Sequence, residues 1–218
     1  MTITYDCSTE DTGREVGLSS AAGALRSGRL VVTPTDTLYG IAADAFDPDA
    51  VVSLLSAKRR GPDMPVPVLV GSWETIDGLV VSTPAAARDL IRAFWPGGLS
   101  LIVHQAPSLG WDLGQTRGTV MLRMPLHPVA IELLREVGPL AVSSANVSGQ
   151  PPATTVAQAR EQLGDSVAVY LDGGPCAIGQ PSTIVDLTGP GPRIVREGAV
   201  TAERVGEVLG VDPAVLRG

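Results

Sequence analysis

Short apolar runs of strand length alternate with helical patterns along almost the whole 218-residue chain. Such alternation is typical of an α/β domain, because a helix and a sheet each need another layer against which to bury their apolar side. Two successive helical patterns between residues 72 and 98, and several late strands in direct succession, favour an open, twisted, mixed sheet with flanking helices. The runs predict strands at Arg29–Thr33, Val66–Val70, Leu99–Val103, Thr119–Met124, Leu140–Ser143, Val167–Leu171, Thr183–Leu187 and Arg193–Val195.

Helix ends are marked by capping residues. Asp47 and Thr83 each precede a proline, which is favoured at the first helical position because the N–H that it lacks has no partner there. Thr155, followed by Gln158, fits a capping box, and Thr201 predicts a closing helix over residues 202–209. Glycine enters the left-handed conformation at low cost, and four glycines predict helix ends, namely Gly28, Gly138, Gly164 and Gly210.

Length and composition narrow the class of protein. With 44% apolar residues the chain can bury a substantial core, and we predict a single domain over residues 1–218, with its core at about 15–200 and a C-terminal helix at about 201–210. The formal net charge of −7 does not favour a broad nucleic-acid surface. Cys7 and Cys176 lie far apart and suggest neither a disulfide framework nor a thiolate zinc site, so we predict no metal site.

The sequence predicts a cytoplasmic protein without membrane contact. The first residues contain no basic region followed by an apolar stretch, as a secretory signal would. Nor does any uncharged apolar run approach the ~20 residues that cross a bilayer.

The first polar constellation is Pro34–Gly40, directly after a predicted strand. The hydroxyls of Thr35 and Thr37 are two residues apart and point the same way on an extended segment, where they can bind a ligand's carboxylate or amine. The alternative is an ordinary turn in which Thr and Asp side chains bond their own backbone. Composition alone favours the turn.

The second constellation is Lys58-Arg59-Arg60, followed by a Gly-Pro break. Three consecutive cations suit phosphates, because arginine offers bidentate hydrogen bonds and lysine a mobile point charge. The alternative is a basic helix C-terminus that complements the helix dipole. The residues alone do not decide between the two.

The third constellation is Thr119–Pro125, with His127 following. Arg123 lies among apolar neighbours in a predicted strand, and a buried guanidinium needs an anionic partner. A substrate carboxylate is one candidate partner, and an internal Asp or Glu is the commoner one. We expect His127 to help begin the next helix rather than to bind a metal.

The fourth constellation is Ser143–Gly149, at the end of another apolar strand. Small polar residues there let donors approach a phosphate or a base closely, and a serine-rich turn is the alternative. The common GxxxxGK[ST] and GxGxxG nucleotide motifs are absent from the sequence, which argues against the ordinary nucleotide-binding folds.

Taken in order, these segments resemble the YrdC family, whose signature is Lys-x-Arg followed much later by Ser-x-Asn. The chain matches this signature at Lys58–Arg60 and Ser144–Asn146. The resemblance covers about residues 15–200 and implies the family's fold, an open α/β sheet with a large concave cavity. It also rests on the segments Pro34–Gly40, Phe94–Gly97, Arg123–Pro125, Ser182–Asp186 and Arg196–Gly198.

The resemblance implies a nucleotidyltransferase, an L-threonylcarbamoyladenylate synthase that uses L-threonine, bicarbonate and ATP and releases pyrophosphate. It implies magnesium with the ATP, and downstream proteins that transfer the threonylcarbamoyl group to tRNA. Lys58 and Arg60 would then bind the triphosphate and take part in catalysis. The remaining implied ligands are Thr119, Ser144, Asn146 and Arg196 for ATP, and Thr35, Arg123 and Ser182 for threonine.

The chain departs from the family pattern in the segment after Arg60. Where related proteins often have Asn-Pro and then a histidine, this chain has Met64-Pro65 and then Leu69. Two other functions stay open at this point. One is a non-catalytic RNA-binding module, and the other is a carbamoyl-transfer domain of the kind found in hydrogenase-maturation proteins.

Overall fold

The computed structural model describes residues 2–61 and 63–218, and ten strands of this part form one continuous sheet. The strands are β1 (Ile3–Asp6), β2 (Val31–Thr33), β3 (Gly40–Asp44), β4 (Val68–Leu69), β5 (Leu99–His104), β6 (Thr119–Arg123), β7 (Leu140–Ser144), β8 (Val169–Asp172), β9 (Thr183–Asp186) and β10 (Arg193–Arg196). The helices are α1 (Thr12–Arg26), α2 (Pro48–Ala57), α3 (Ala85–Phe94), α4 (Pro128–Val137), α5 (Val156–Leu163), α6 (Ala202–Leu209) and α7 (Pro213–Leu216), with short 3₁₀ turns at Trp73–Gly78 and Gly164–Ser166.

The sheet is mixed, as predicted. Its spatial order is β1-β8-β2-β3-β7-β4-β6-β5-β9-β10, and parallel and antiparallel pairs are interspersed along it. All eight predicted strands occur, with ends that differ by a few residues. The single-domain organisation over residues 1–218 stays a prediction, which is favoured by a sheet that joins strands from both ends of the chain.

Two strands were not predicted. β3 has the sequence Gly-Ile-Ala-Ala-Asp, in which only the isoleucine is a strong strand former. It is a strand because β2 and β7 pair with it on both sides. β1 is short and lies at the outer edge of the sheet, where β8 supplies its only pairing among the described strands.

Most predicted helix ends are present. Asp47 caps α2 by accepting hydrogen bonds from two backbone N–H groups, and Thr201 caps α6. All four predicted helix-end glycines have positive φ. Thr155 caps α5, but the Gln158 amide oxygen accepts from the N–H of Thr154, so the capping box is only half formed.

The predicted cap at Thr83 is wrong, because α3 begins one residue later than expected. Pro84 occupies the capping position with an extended ψ of 155°, and it provides no side-chain hydrogen bond. Thr83 therefore lies one residue before the capping position, and its hydroxyl donates to Asp77 Oδ1 at 3.5 Å. The terminal helix α7 was also not predicted.

The two faces of the sheet are covered to different extents. On one face, α2, α3, α5 and α6 pack over the strands and form the larger apolar core. On the other face, α1 and α4 cover five strands that are neighbours in the sheet, β1, β8, β2, β3 and β7, together with part of β4. Within the described residues, the remainder of this second face, over β4, β6, β5 and β9, is left without a helix.

Two glycines of α1 should respond in opposite ways to the same substitution. A Cβ at Gly17 would lie 2.8 Å from Tyr5 Cβ and 3.0 Å from Cys7 Sγ, so the helix would have to move away from β1. A Cβ at Gly23 would meet nothing within 4 Å. We expect G17A to lower the free energy of unfolding by about 1–3 kcal/mol and G23A to raise it by about 0.5–1 kcal/mol. Urea unfolding of both variants measures this, and equal changes of one sign would contradict the packing described for α1.

Candidate active site

A concave cavity of about 610 Å³ lies over the uncovered part of the sheet and the adjoining end of β7. Its size falls in the range of small-molecule sites. Side chains two residues apart on a strand point to the same face, so the cavity floor contains alternate residues of neighbouring strands. These floor residues are Leu69, Ser100, Ile102, Thr119, Met121, Arg123, Val142, Ser144 and Ile184.

Eight of the nine predicted site residues line this cavity, although they come from distant parts of the chain. Lys58 is the exception and lies behind the cavity wall. The predicted residues that line it are Thr35, Arg60, Thr119, Arg123, Ser144, Asn146, Ser182 and Arg196.

The connection between β2 and β3 carries two buried hydroxyls. Thr35 Oγ1 donates to the carbonyl of Leu38 at 2.6 Å and accepts from the backbone N–H groups of Thr37 and Leu38, each at 3.2 Å. Its oxygen is 3.1 Å from Thr37 Oγ1. The segment is therefore a turn held by its own side chains, and both hydroxyls also line the cavity.

Arg123 is buried at the end of β6 and is paired inside the protein. Its guanidinium donates to Asp36 Oδ1 at 2.6 Å, to Thr37 Oγ1 at 2.7 Å and to the carbonyl of Gly97 at 2.8 Å. The internal salt bridge that the sequence left open is thus present. An arginine has five N–H groups, so two have no partner among the described residues, and Arg123 lines the cavity. Burial lowers the pKa of Arg123, and Asp36 acts in the opposite direction.

The loop after β7 is held from beneath by Lys58. The lysine ammonium donates to the carbonyl oxygens of Ser144 and Asn146, the latter at 2.8 Å. The Asn146 amide in turn donates to the carbonyls of Val147 at 3.0 Å and Gln150 at 2.8 Å. The early cationic segment and the later strand end therefore meet, as the signature implies, but the contact between them is internal to the protein.

Arg60 is the freest of the cavity arginines. Its one side-chain contact is a long hydrogen bond of 3.4 Å to Ser143 Oγ, and its Nε is buried without a partner in the described residues. Burial lowers the pKa of Arg60, while Asp63 raises it. A guanidinium with unused N–H groups at a cavity wall suits an anionic ligand.

Arg196 reaches the cavity because of an irregular strand register. The pairing of β10 with β9 shifts by one residue between Ile194 and Arg196. Ile194 therefore lies opposite the core residue Val185, whereas Arg196 lies opposite Ile184, which lines the cavity. Arg196 donates to the carbonyl of Ser182 at 2.8 Å and contacts its hydroxyl at 3.3 Å.

Ser100 belongs to the site although the sequence did not single it out. Its hydroxyl is 2.9 Å from that of Ser182, and both are buried at the cavity. A signal was present, because Ser100 is the one polar residue between Leu99 and Val103. Met64 and Leu69, the two departures from the family pattern, also line the cavity and make this part of the wall apolar.

The cavity is positive inside an acidic protein. Arg60, Arg123 and Arg196 line it, and Asp63 supplies the one carboxylate among its described lining residues. In residues 2–61 and 63–218 no three His, Cys, Asp or Glu side chains are grouped so that they could hold a metal ion. The helices of the described chain are all too short or too polar to cross a membrane.

Comparisons with known proteins agree over the length of the chain. The family model for Sua5, YciO and YrdC proteins, described as telomere recombination, matches residues 23–198. A protein of Mycobacterium tuberculosis strain H37Rv is named "Putative threonylcarbamoyl-AMP synthase". It is 67% identical over 218 residues, and the match covers 100% of this chain and 100% of that protein. The threonylcarbamoyl-AMP synthase of Bacillus subtilis is 36% identical over 95% of this chain and 60% of its own length.

Solved structures show the same likeness. The crystal structure of Pyrococcus abyssi Sua5 complexed with L-threonine superposes with a TM-score of 0.88 at 33% identity, over 100% of this chain and 64% of that one. Together with the family model and the M. tuberculosis relative, this likeness confirms the fold class and the resemblance on which the site residues were chosen. The chain belongs to the Sua5/YciO/YrdC family.

Proposed function

We propose that this protein is a threonylcarbamoyl-AMP synthase, which forms the adenylate and pyrophosphate from L-threonine, bicarbonate and ATP. The observation that carries the proposal is the cavity of a Sua5/YciO/YrdC protein in which three arginines and a single carboxylate meet a group of buried hydroxyls. A phosphate chain and an amino acid carboxylate both match such a lining. The names of the M. tuberculosis and B. subtilis relatives support the same activity.

The reaction has two steps. The threonine ammonium group first loses a proton, and the free amine then condenses with bicarbonate to form a carbamate with loss of water. A carbamate oxygen then attacks the α-phosphorus of ATP, so that a new P–O bond forms while the bond to pyrophosphate breaks. The protein's contribution is to hold the reactants together and to stabilise the charge that moves onto pyrophosphate.

The cavity supplies groups for both ligands. In our proposal Arg60, Arg196, Thr119, Ser144 and Asn146 surround ATP, as the resemblance implies. Ser182 and the two unused N–H groups of Arg123 receive threonine, with the Arg123 N–H groups toward its carboxylate. Thr35 lies beside the ligand and holds the turn through its hydroxyl. The pairing of Arg123 with Asp36 does not prevent this role, because it fixes the orientation of the guanidinium.

Magnesium is proposed as part of the ATP substrate. Magnesium in phosphate-transfer sites is commonly held by one or two carboxylates together with the substrate's phosphates. One carboxylate, that of Asp63, lines the cavity, which fits an ion bound mainly through the phosphates. Bound there, the ion would neutralise phosphate charge beside Arg60.

The wider setting is also a proposal. We propose that the protein acts in the cytoplasm and passes its product to proteins that transfer the threonylcarbamoyl group to tRNA. Direct RNA binding by a non-catalytic module is less well supported, because the formal net charge is −7 and the arginines lie inside a cavity. Carbamoyl transfer is likewise less supported than the activity named for relatives that match the full chain.

An assay of the purified protein tests the proposed function. With ATP, magnesium, bicarbonate and L-threonine we expect pyrophosphate release and a product with the mass of threonylcarbamoyl-adenylate. Omission of threonine or bicarbonate should each reduce pyrophosphate release to background. Pyrophosphate release that does not require threonine, or no turnover under any of these conditions, would rule out the synthase assignment.

A further inference from the structure

Lys58 fastens the loop after β7 to the end of α2. It follows α2 directly, and its side chain is almost completely buried, with 2% of the residue exposed. Its ammonium donates to the carbonyls of Ser144 and Asn146, and Asn146 Oδ1 lies at 3.5 Å. The backbone carbonyl of Lys58 accepts from the N–H of Ser148 at 2.9 Å. Side chain and backbone of one residue thus hold the same loop.

The ammonium of Lys58 is directed at the loop rather than at the cavity. An ammonium group has three N–H donors and no acceptor. Two of them are engaged by the carbonyls of Ser144 and Asn146, and Asn146 Oδ1 lies near the third at 3.5 Å. Arg60, two residues later, lines the cavity, whereas Lys58 does not.

The contacts also set the polarity of the loop. Because the carbonyl oxygens of Ser144 and Asn146 accept from Lys58, which does not line the cavity, their negative ends are directed at the ammonium. Without the lysine, these oxygens would be free to turn toward a bound phosphate chain and repel it.

We infer that Lys58 is a positioning residue, which holds the Ser144–Asn146 segment in the orientation that accepts ATP and does not itself touch the triphosphate. This inference rests on the proposed function, since it concerns the ATP that the cavity would bind. It replaces the direct triphosphate contact, and the catalytic role, that the family resemblance implied for Lys58.

The ionisation of Lys58 provides a test of direct contact. Burial, together with the nearby charge of Arg60, lowers its pKa to about 8. A phosphate placed against the ammonium would favour the charged form and raise this pKa. At pH 8.5 such contact would add about half a proton to the protein for each ATP bound, whereas a positioning residue that keeps its surroundings adds almost none.

The first experiment therefore measures proton uptake by the wild-type protein. Titration calorimetry of ATP binding at pH 8.5, in two buffers with different ionisation enthalpies, gives the number of protons taken up. We expect less than about 0.1 proton per ATP. Uptake of about half a proton would overturn the inference while leaving the proposed function in place, and absence of ATP binding would overturn both.

The second experiment separates positioning from a purely structural role. In K58M the flexible apolar side chain is one atom shorter than lysine and lacks its donors. We expect kcat/KM for ATP to fall by about 10–100-fold, with the threonine KM changed less than about two-fold. R59M is the matched control, because Arg59 is exposed, does not line the cavity and should tolerate the change. A folded K58M enzyme with wild-type kinetics would overturn the inference. Should K58M fail to fold, the proton measurement on the wild type still decides.

Discussion

Replacing Asp36 by asparagine is expected to lower the free energy of unfolding by about 3–5 kcal/mol, the cost of leaving a buried charge without its partner. Asp36 Oδ1 accepts from the Arg123 guanidinium at 2.6 Å and from the N–H of Leu126 at 2.9 Å, and both side chains of the pair are less than one-tenth exposed. D36N keeps the shape of the side chain, removes its charge and replaces one carboxylate oxygen by an NH2 group. Urea unfolding, with the slope compared between variants, measures the loss.

The double variant D36N/R123M is the control for this result. It removes both members of the pair, so it should be more stable than D36N alone, because no uncompensated buried charge remains. A loss below about 1 kcal/mol in D36N would mean that water in the cavity solvates Arg123 well enough to replace the carboxylate. The ion pair would then not account for the position of Arg123 at the end of β6.

Replacing Arg60 by methionine is expected to reduce kcat/KM for ATP in the proposed synthase reaction by about 10²–10³-fold. Arg60 lines the cavity and has a single long contact within the described protein, so its guanidinium is the cation most available to a phosphate chain. The free energy of unfolding should change by less than about 1 kcal/mol. Pyrophosphate release at varied ATP, with threonine saturating, measures the effect.

R60K distinguishes charge from hydrogen-bond geometry at this position. Lysine keeps the charge but loses the planar fork, so R60K should fall between the wild type and R60M. The threonine KM should stay within about three-fold of the wild type in both variants. An R60M enzyme with unchanged kcat/KM would remove Arg60 from the ATP site.

The elements that the sequence predicted are those with strong local signals. Asp47 and Thr201 cap their helices because capping depends on neighbours a few residues away. β3 was not predicted because alanine has a low strand propensity. The segment forms a strand through its pairing with β2 and β7. The cap was misplaced at Thr83 because Pro84 was taken as the first helical residue. In the structure α3 begins at Ala85, and Pro84 occupies the capping position.

The roles of the chosen site residues stay predictions, and the geometry around them was not predicted from the sequence. Eight of the chosen residues line one cavity. No sequence pattern shows, however, that Lys58 donates its hydrogen bonds to the loop after β7, or that Arg123 forms an ion pair with Asp36. Strict alternation along β10 would place Ile194 and Arg196 on one face. The register shift between them, which is set by the pairing with β9, turns Arg196 to the cavity.

The uncovered portion of the sheet separates two kinds of position along each strand. In β6, Leu122 packs into the apolar core while its neighbour Met121 faces the cavity, and Leu101 and Ile102 of β5 divide in the same way. Natural variation at Met121 or Ile102 can therefore reshape what the enzyme accepts with little effect on how well it folds, whereas the adjacent residue has the opposite constraint. The uncovered part of the sheet thus lets residues that shape the cavity alternate with residues that hold the fold.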